Sequence, residues 1–255
     1  MNKVFLKILG ILLKLINLLI NLLKKVASYL NVIRNYLNKN ECAKFSDCVL
    51  LQKLITSQPP SSDRFIEYPW LMENIDIKKG RLLDIGSTIG DLLHGSLPAE
   101  VEVNCLNLNT KNFKSKKIIF KNGDIRNTDY PNNYFDIVSC ISTLEHIGVA
   151  GRYGSDHDPD GDKKAMREIE RILKPNGKLL VSVPYGRKDV LPINKLYNLS
   201  RINDLFSDLE IVSQEFRKFN KDWYVWLKVS EMEAATTDMI LDGWYALCLI
   251  KARKK

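Results

Sequence analysis

RLLDIGSTIGDLL, residues 81–93, decides the fold. An apolar run ends on Asp84 and Ile85, a turn of small residues holds Gly86, Ser87, Thr88 and Gly90, and a helix-forming run opens behind it. A buried strand that turns through glycines into a helix is the place where an open α/β sheet holds a nucleotide-like cofactor, because the backbone can approach the ligand there with no Cβ in the way.

Outward from this turn, strand-like runs recur at regular spacing: 101–106 (VEVNCL), 117–120 (KIIF), 135–140 (FDIVSC), 178–183 (KLLVSV), 209–217 (LEIVSQEFR) and 244–251 (WYALCLIK). Between them, KKAMREIERIL, 163–173, puts Ala165, Met166, Ile169, Ile172 and Leu173 on one helical face, and PNGK, 175–178, stops that helix and turns the chain into the next strand. Strands alternating with helices predict an α/β fold with a doubly wound, mostly parallel, seven-stranded sheet. The last two strands, joined by a loop and no clear crossover helix, predict an antiparallel edge hairpin at the C-terminal side. The catalytic body is expected over 64–255, behind a mixed, helical segment and a Pro/Ser linker over 41–63. FIEYPWLMENI, 65–75, is expected to pack beside the glycine turn.

Five features then fall in order: the Gly86–Gly90 turn, a polar residue (Asn107) ending the second strand, GDIR at 123–126, FDIVSCISTLEHI at 135–147, and LKPNGKLLVSVP at 173–184. Together they resemble the class I, Rossmann-like methyltransferases that use S-adenosylmethionine, over roughly residues 64–251. The resemblance implies that Asp84, Ile85, Gly86, Ser87, Thr88 and Gly90 wrap the methionine part of the cofactor. It also implies that Asn107 faces the ribose, that Asp124 meets the adenine amino group with Ile125 against the ring, and that Cys140, Ile141 and Ser142 line the methionine side. Two positions depart from the family. Thr88 stands where a third glycine is usual, and Asn107 replaces a carboxylate that accepts from both ribose hydroxyls. Downgrading one charge-assisted bond weakens cofactor affinity by about 1–2 kcal/mol. A non-catalytic descendant of the fold is the alternative. A dinucleotide dehydrogenase lacks support, since the full G-x-G-x-x-G is missing.

The segment STLEHIGVAGRYGSDHDPDGDKKAM, 142–166, follows the fourth strand. Related quinone and RNA-end methyltransferases hold a metal with Glu-x-x-Glu-His there, but Ser142 stands in place of the first Glu, so no metal is expected. His146, with Glu145 orienting it, is the candidate general base for a hydroxyl acceptor, since imidazole titrates near neutrality. The alternative is that His146 braces the next helix. Asp156, Asp158, Asp160, Gly161 and Asp162 imitate a calcium loop, but Arg167 occupies the twelfth position and Pro159 interrupts it. A loop with Asp160 or Asp162 capping the next helix is the favoured reading. The GRYG and DPDGD runs resemble a methyltransferase-like group associated with glycan modification, which implies a saccharide, lipid-linked or other small-molecule acceptor. Arg152, Tyr153, His157, Tyr185 and Arg187 are candidate acceptor contacts on loops. Trp223, Trp226 and Trp244, with Tyr224 and Tyr245, line either a sugar site or the core of the last strands.

The formal net charge of +8 is unevenly placed. Seven of the 38 Lys and Arg lie in residues 1–40, which hold no acid; the other 31 stand against 30 Asp and Glu, so the body is near neutral and no nucleic-acid groove is expected. Residues 4–23 contain nine Leu and four Ile, with a polar stripe at Lys7, Lys14, Asn17 and Asn21 spaced for a helix. In a spanning helix Lys14 lies near the bilayer centre at a cost of roughly 3 kcal/mol, against a return of about 0.5 kcal/mol per Leu or Ile. Lying in the interface plane leaves the ammonium groups in water and attracts anionic lipid. The segment is therefore expected to hold a cytoplasmic enzyme peripherally on an anionic membrane, with a single span, or packing on its own domain or a sister subunit, as alternatives. Five scattered cysteines without a C-x-x-C fit a reducing compartment, with Cys105 and Cys140 buried as free thiols.

Overall fold

The structure is a computed structural model and describes residues 11–24, 26–27, 30, 62–87, 90, 95–151, 153–154, 156–223 and 225–255. The chain divides into two compact units, residues 1–65 with 219–227, and residues 66–218 with 228–255.

In the first unit, residues 11–24 form helix α1, and its apolar side chains are exposed, Leu18 to 68% and Leu23 to 58%. Among the described residues, no helix is long and apolar enough to cross a membrane. Further along the chain, the rings of Phe219 and Trp226 meet at 5.6 Å, and Trp226 is buried while Trp223 is exposed. The mixed segment and linker over 41–61, with Cys42, Cys48 and Pro59, lie outside the described residues.

The α/β alternation runs through the second unit, and, of the elements below, residues 64–65, 219–220 and 225–227 are counted in the first. Helix α2 (Arg64–Asn74) leads into β1 (Gly80–Ile85), β2 (Val101–Asn107), β3 (Ile119–Asn122) and β4 (Phe135–Ile141). Helix α3 (Gly161–Ile172) then feeds β5 (Leu173–Tyr185), α4 (Leu199–Leu205) feeds β6 (Leu209–Asn220), and β7 (Val225–Val229), α5 (Glu231–Ala235), α6 (Met239–Asp242) and β8 (Ala246–Lys254) complete the chain. The sheet order is β3-β2-β1-β4-β5-β8-β6-β7. The first five of these strands are parallel, and β8 runs antiparallel to both β5 and β6.

Two details correct the sequence expectation. There are eight strands, because VWLKV at 225–229 forms β7, whose residues the sequence reading grouped with the aromatic cluster. The last strand is no edge. β8 is inserted between β5 and β6, which explains its continuous apolar run from Ala246 to Ile250, all buried. The Pro-Asn-Gly turn sits inside β5 as an irregularity: pairing with β4 jumps from Phe135–Leu173 to Ile137–Lys178, and Asn176 takes a positive φ of 63°.

The core forms where the 3.6 and 2.0 periodicities meet. Ala165, Met166, Ile169 and Ile172 of α3 face Leu83, Val138, Leu179 and Val181 of the central strands within one buried cluster. Cys105 and Cys140 are buried free thiols, as expected from their strands. Burial pushes the Cys140 thiol up, with Glu145 and Asp84 adding to the effect, so it stays protonated.

Candidate cofactor site

Strand order reverses between β1 and its two parallel neighbours, β2 and β4, and the carboxyl ends of these strands set the site. Gly86 continues the ladder by donating its N–H to Leu106 O at 2.8 Å, then takes φ 85°, and Ser87 follows at φ 51°. A Cβ on Gly86 would overlap the Thr143 hydroxyl, so the turn after β1 touches the turn after β4. Gly90 is small for a different reason: a Cβ there would lie 2.6 Å from Cys105 Sγ and 2.7 Å from the Phe113 ring. Asp84, Ile85, Cys140 and Ile141 are buried beneath this surface, with the Ser139 hydroxyl 3.3 Å from Asp84 Oδ1. They form the floor of the site. Thr88 and Ile89 lie outside the described residues.

At the end of β2 the Asn107 amide donates to Gly86 O at 2.5 Å and accepts the Asn109 N–H at 2.9 Å. Lys111 Nζ is 3.0 Å from both Gly86 O and Ser87 O. Two carbonyls of the turn therefore converge on an ammonium. Asn109 also donates to Tyr153 O at 2.9 Å, which brings Tyr153 to the β2 end.

Asp124 follows β3 as expected, and the last residue of GDIR holds it. Arg126 contacts Asp124 Oδ2 through Nε at 2.9 Å and Nη2 at 2.6 Å, while Nη1 reaches Asp158 at 3.0 Å. The paired carboxylates hold the guanidinium pKa above its ordinary value, Asp124 first. Ile125 is packed into the core at 6% exposure. Asp158 and Asp162 of the acidic run are thereby scaffolding. Lys164, then Arg126, hold the Asp158 carboxyl below the usual range. Asp158 N–H donates to Gly148 O at 3.0 Å, and Gly148 takes φ 76° where a Cβ would overlap Asp158 O. Asp162 is buried against Lys195 Nζ at 3.0 Å and the Tyr197 hydroxyl at 3.1 Å. The expected cap is corrected here: α3 begins at Gly161, Asp160 stands at its N-cap without a side-chain cap bond, and Asp162 is turned inward.

Glu145 and His146 form a one-turn 3-10 helix at the exit of β4. His146 Nε2 lies 3.7 Å from Glu145 Oε1, and its ring meets Tyr153 at 4.9 Å. Glu145 is buried, and its carbonyl accepts the Lys195 N–H at 3.2 Å, so the base candidate is mounted on the Asp162–Lys195–Tyr197 network.

Among the acceptor candidates, Tyr153, His157 and Arg187 are exposed on loops, and Arg152 lies outside the described residues. Tyr185 is corrected: it is wholly buried, its ring packs edge-on against Phe216 at 4.9 Å, and its hydroxyl donates to Glu231 at 2.5 Å. Trp244 and Tyr245 stack on each other at 5.7 Å, both partly buried, and Tyr224 lies outside the described residues.

Lys111, Lys195, Tyr197 and Glu67 escaped the sequence reading. Glu67 of α2 is fully buried, and its Oε1 accepts from the Ser142 hydroxyl at 2.5 Å and the Ser182 hydroxyl at 2.6 Å. Ser142 itself sits at φ 42° and donates its N–H to Ser182 Oγ at 2.9 Å. The available signal was an acid on an apolar stripe, with Trp70 and Leu71 three and four positions on.

Comparison with known proteins agrees with this architecture. An uncharacterised protein of Methanocaldococcus jannaschii is 32% identical over 142 residues, covering 52% of this chain and 53% of that one. The uncharacterised methyltransferase YcgJ of Bacillus subtilis is 25% identical over 166 residues, covering 55% and 60%. The ubiquinone/menaquinone biosynthesis C-methyltransferase UbiE of Vibrio cholerae is 26% identical over 133 residues, covering 46% of each chain. The chain spans about half the length of the curated relatives it matches. The crystal structure of the Bacillus YcgJ protein superimposes with a TM-score of 0.52 at 16% identity, over 74% of this chain and 98% of that one. The [4+2]-cyclase SpnF superimposes equally well, TM-score 0.52 at 16% identity, over 75% and 81%. These structures share the fold of the class I methyltransferases. Residues 91–238 match one family model, and on that match the chain belongs to the family described as "Caenorhabditis protein of unknown function, DUF268".

Proposed function

We propose that this chain is an S-adenosylmethionine-dependent methyltransferase that methylates an oxygen of a saccharide or of a lipid-linked or other small acceptor at a membrane surface. One observation carries the reading. The Gly86–Ser87 turn, the Asn107 end of β2 and the Ser142–Thr143 exit of β4 meet at the point where strand order reverses, with Gly86 too close to Thr143 to carry a side chain. The residues present fit a nucleoside with a methionine tail: carbonyls that already converge on an ammonium, an amide at the ribose position, and a carboxylate at Asp124.

When bound, the cofactor supplies a methyl group on a sulfonium. The chain's own residues hold it in line with the acceptor, and positioning is the main contribution. His146, oriented by Glu145, takes the acceptor's proton from the loop side. The exposed leucines of α1 and the lysines of residues 1–40 support an anchor lying in the plane of an anionic membrane. The test uses the full chain with methyl-labelled cofactor and a membrane-saccharide extract. Label should pass to a base-stable acceptor, and His146→Ala should slow the transfer while sparing cofactor binding. Flotation with anionic liposomes, compared with a chain starting at Glu41, tests the anchor separately. Equal flotation of both removes it.

The Lys111 contact also favours a second reading, a scaffold protein with a worn cofactor site, because the ammonium rests on the carbonyls a ligand would use. Absence of any binding to S-adenosylmethionine or S-adenosylhomocysteine at millimolar ligand assigns that reading.

A further inference from the structure

Lys111 follows the end of β2, and its ammonium is 3.0 Å from Gly86 O and 3.0 Å from Ser87 O. Among the described residues, no carboxylate is paired with it. A carbonyl oxygen offers two lone pairs. One on Gly86 O takes the Asn107 amide at 2.5 Å, so Lys111 fills the other and reaches on to Ser87 O. The two carbonyls thus form a receptor for an ammonium, and the chain itself supplies the one that rests there.

The same turn holds a second telling group. Ser87 is 4% exposed, at φ 51°, and its hydroxyl is buried with no hydrogen-bond partner. Leaving such a hydroxyl unpaired costs about 1–3 kcal/mol. A ligand that supplies the partner explains why the cost is kept at this position. Two carbonyl acceptors, a cation on a flexible four-carbon stem and an unpaired hydroxyl donor are together the complement of an α-amino-acid zwitterion, whose ammonium and carboxylate share one carbon.

We propose that Lys111 is an exchange residue for the amino-acid end of the cofactor: it yields the Gly86 and Ser87 carbonyls to the ligand's α-ammonium and pairs with the α-carboxylate beside it, which the Ser87 hydroxyl also meets. The inference rests on the methyltransferase reading and names the part of the cofactor that the turn selects. In the free protein Lys111 keeps both carbonyls satisfied. On binding, its contact with two neutral dipoles is exchanged for an ion pair, while the carbonyls receive the incoming ammonium. A ligand with the amine and no carboxylate displaces the lysine without giving it a partner, so the carboxylate is what the residue discriminates.

Calorimetry on the full chain tests this with three ligands: S-adenosylhomocysteine, its decarboxylated analogue, which keeps the amine, and 5′-methylthioadenosine, which lacks both groups. The wild type should bind S-adenosylhomocysteine about tenfold more tightly than either of the others. Lys111→Met should weaken S-adenosylhomocysteine about tenfold and change the other two by less than about threefold, and Lys111→Arg, which retains the charge, should restore most of the preference. Ser87→Ala should weaken S-adenosylhomocysteine severalfold with no fall in melting temperature, since the hydroxyl it removes bonds nothing in the free fold. Tighter binding by Lys111→Met shows that the lysine is only a plug and overturns the proposal. So does an equal loss, or no change, across the three ligands. A wild type that binds S-adenosylhomocysteine no better than the decarboxylated analogue also overturns it, and that result needs no variant to fold. If the wild type takes none of the three, the methyltransferase reading falls and takes this one with it; binding that does not depend on Lys111 leaves that reading standing and removes only the exchange.

Discussion

Arg126 and Asp124 form a closed pair two residues apart: Oδ2 accepts Nε at 2.9 Å and Nη2 at 2.6 Å, and Oδ1 accepts the Arg126 N–H at 2.8 Å. A carboxylate offers about four acceptor sites. Three are filled by Arg126, and the remaining one suffices for a single N–H from an adenine amino group. In the proposed function the pair serves as a rigid acceptor that the guanidinium holds in place.

Replacing Asp124 with Asn leaves the shape and removes that acceptor strength. S-adenosylhomocysteine affinity should fall about tenfold, the equivalent of one hydrogen bond. Titration calorimetry reads it, and an unchanged affinity would remove Asp124 from the site.

Gly86→Ala combines two penalties. Its φ of 85° strains any side chain, and the new Cβ meets the Thr143 hydroxyl. The backbone part costs about 1–3 kcal/mol. The variant should melt lower and lose cofactor binding. Adding Thr143→Ala should recover the steric part of the loss, and a variant as stable as wild type would show that the turn relaxes freely.

The parallel half of this fold was legible because its strands are buried on both faces and read as unbroken apolar runs, as in Leu82, Leu83 and Ile85. Helix α3 was legible from one stripe of Ala165, Met166, Ile169 and Ile172. The antiparallel end was harder. VWLKV is a short alternating segment with no strand-length apolar run, and although the antiparallel pairing of β6 with β8 was expected, nothing local places β8 between β5 and β6. The same limit applies to the site. GDIR announces an acid and holds the Arg126 that captures it, but the link from Arg126 to Asp158 spans 32 residues of sequence. Glu67 is further still, 75 residues from Ser142. Tyr185 looked like a loop residue beside Gly186, yet β5 runs one residue further than the motif and carries it into the core.

Acid sensitivity should centre on Glu168. Arg171, then Thr128, hold its carboxyl pKa down to about 2 from a usual 4.5. Its folded value is the depressed one, so its stabilisation is complete above about pH 4.5 and is lost as pH falls from there toward 2. Asp136, which Lys174 and the Arg81 N–H hold down against the opposing effect of burial, adds to the same loss. Melting temperature followed from pH 6 to pH 3 should decline, and Glu168→Gln should start about 1–3 kcal/mol lower and decline less steeply. A parallel decline in both proteins would contradict the assignment.

Lys195 and Asp162 are both about 6% exposed, so neither charge can turn to water when the other is removed. Lys195→Met should cost about 3–5 kcal/mol, while Lys195→Met combined with Asp162→Asn should cost less than the single change. Denaturant unfolding measures both.

The most direct test of the whole account is titration of S-adenosylmethionine into the purified full chain. One site per chain, weakened by Asp124→Asn and abolished by Gly86→Ala, is the result expected from the geometry. No heat at millimolar ligand, with the protein folded, would contradict it.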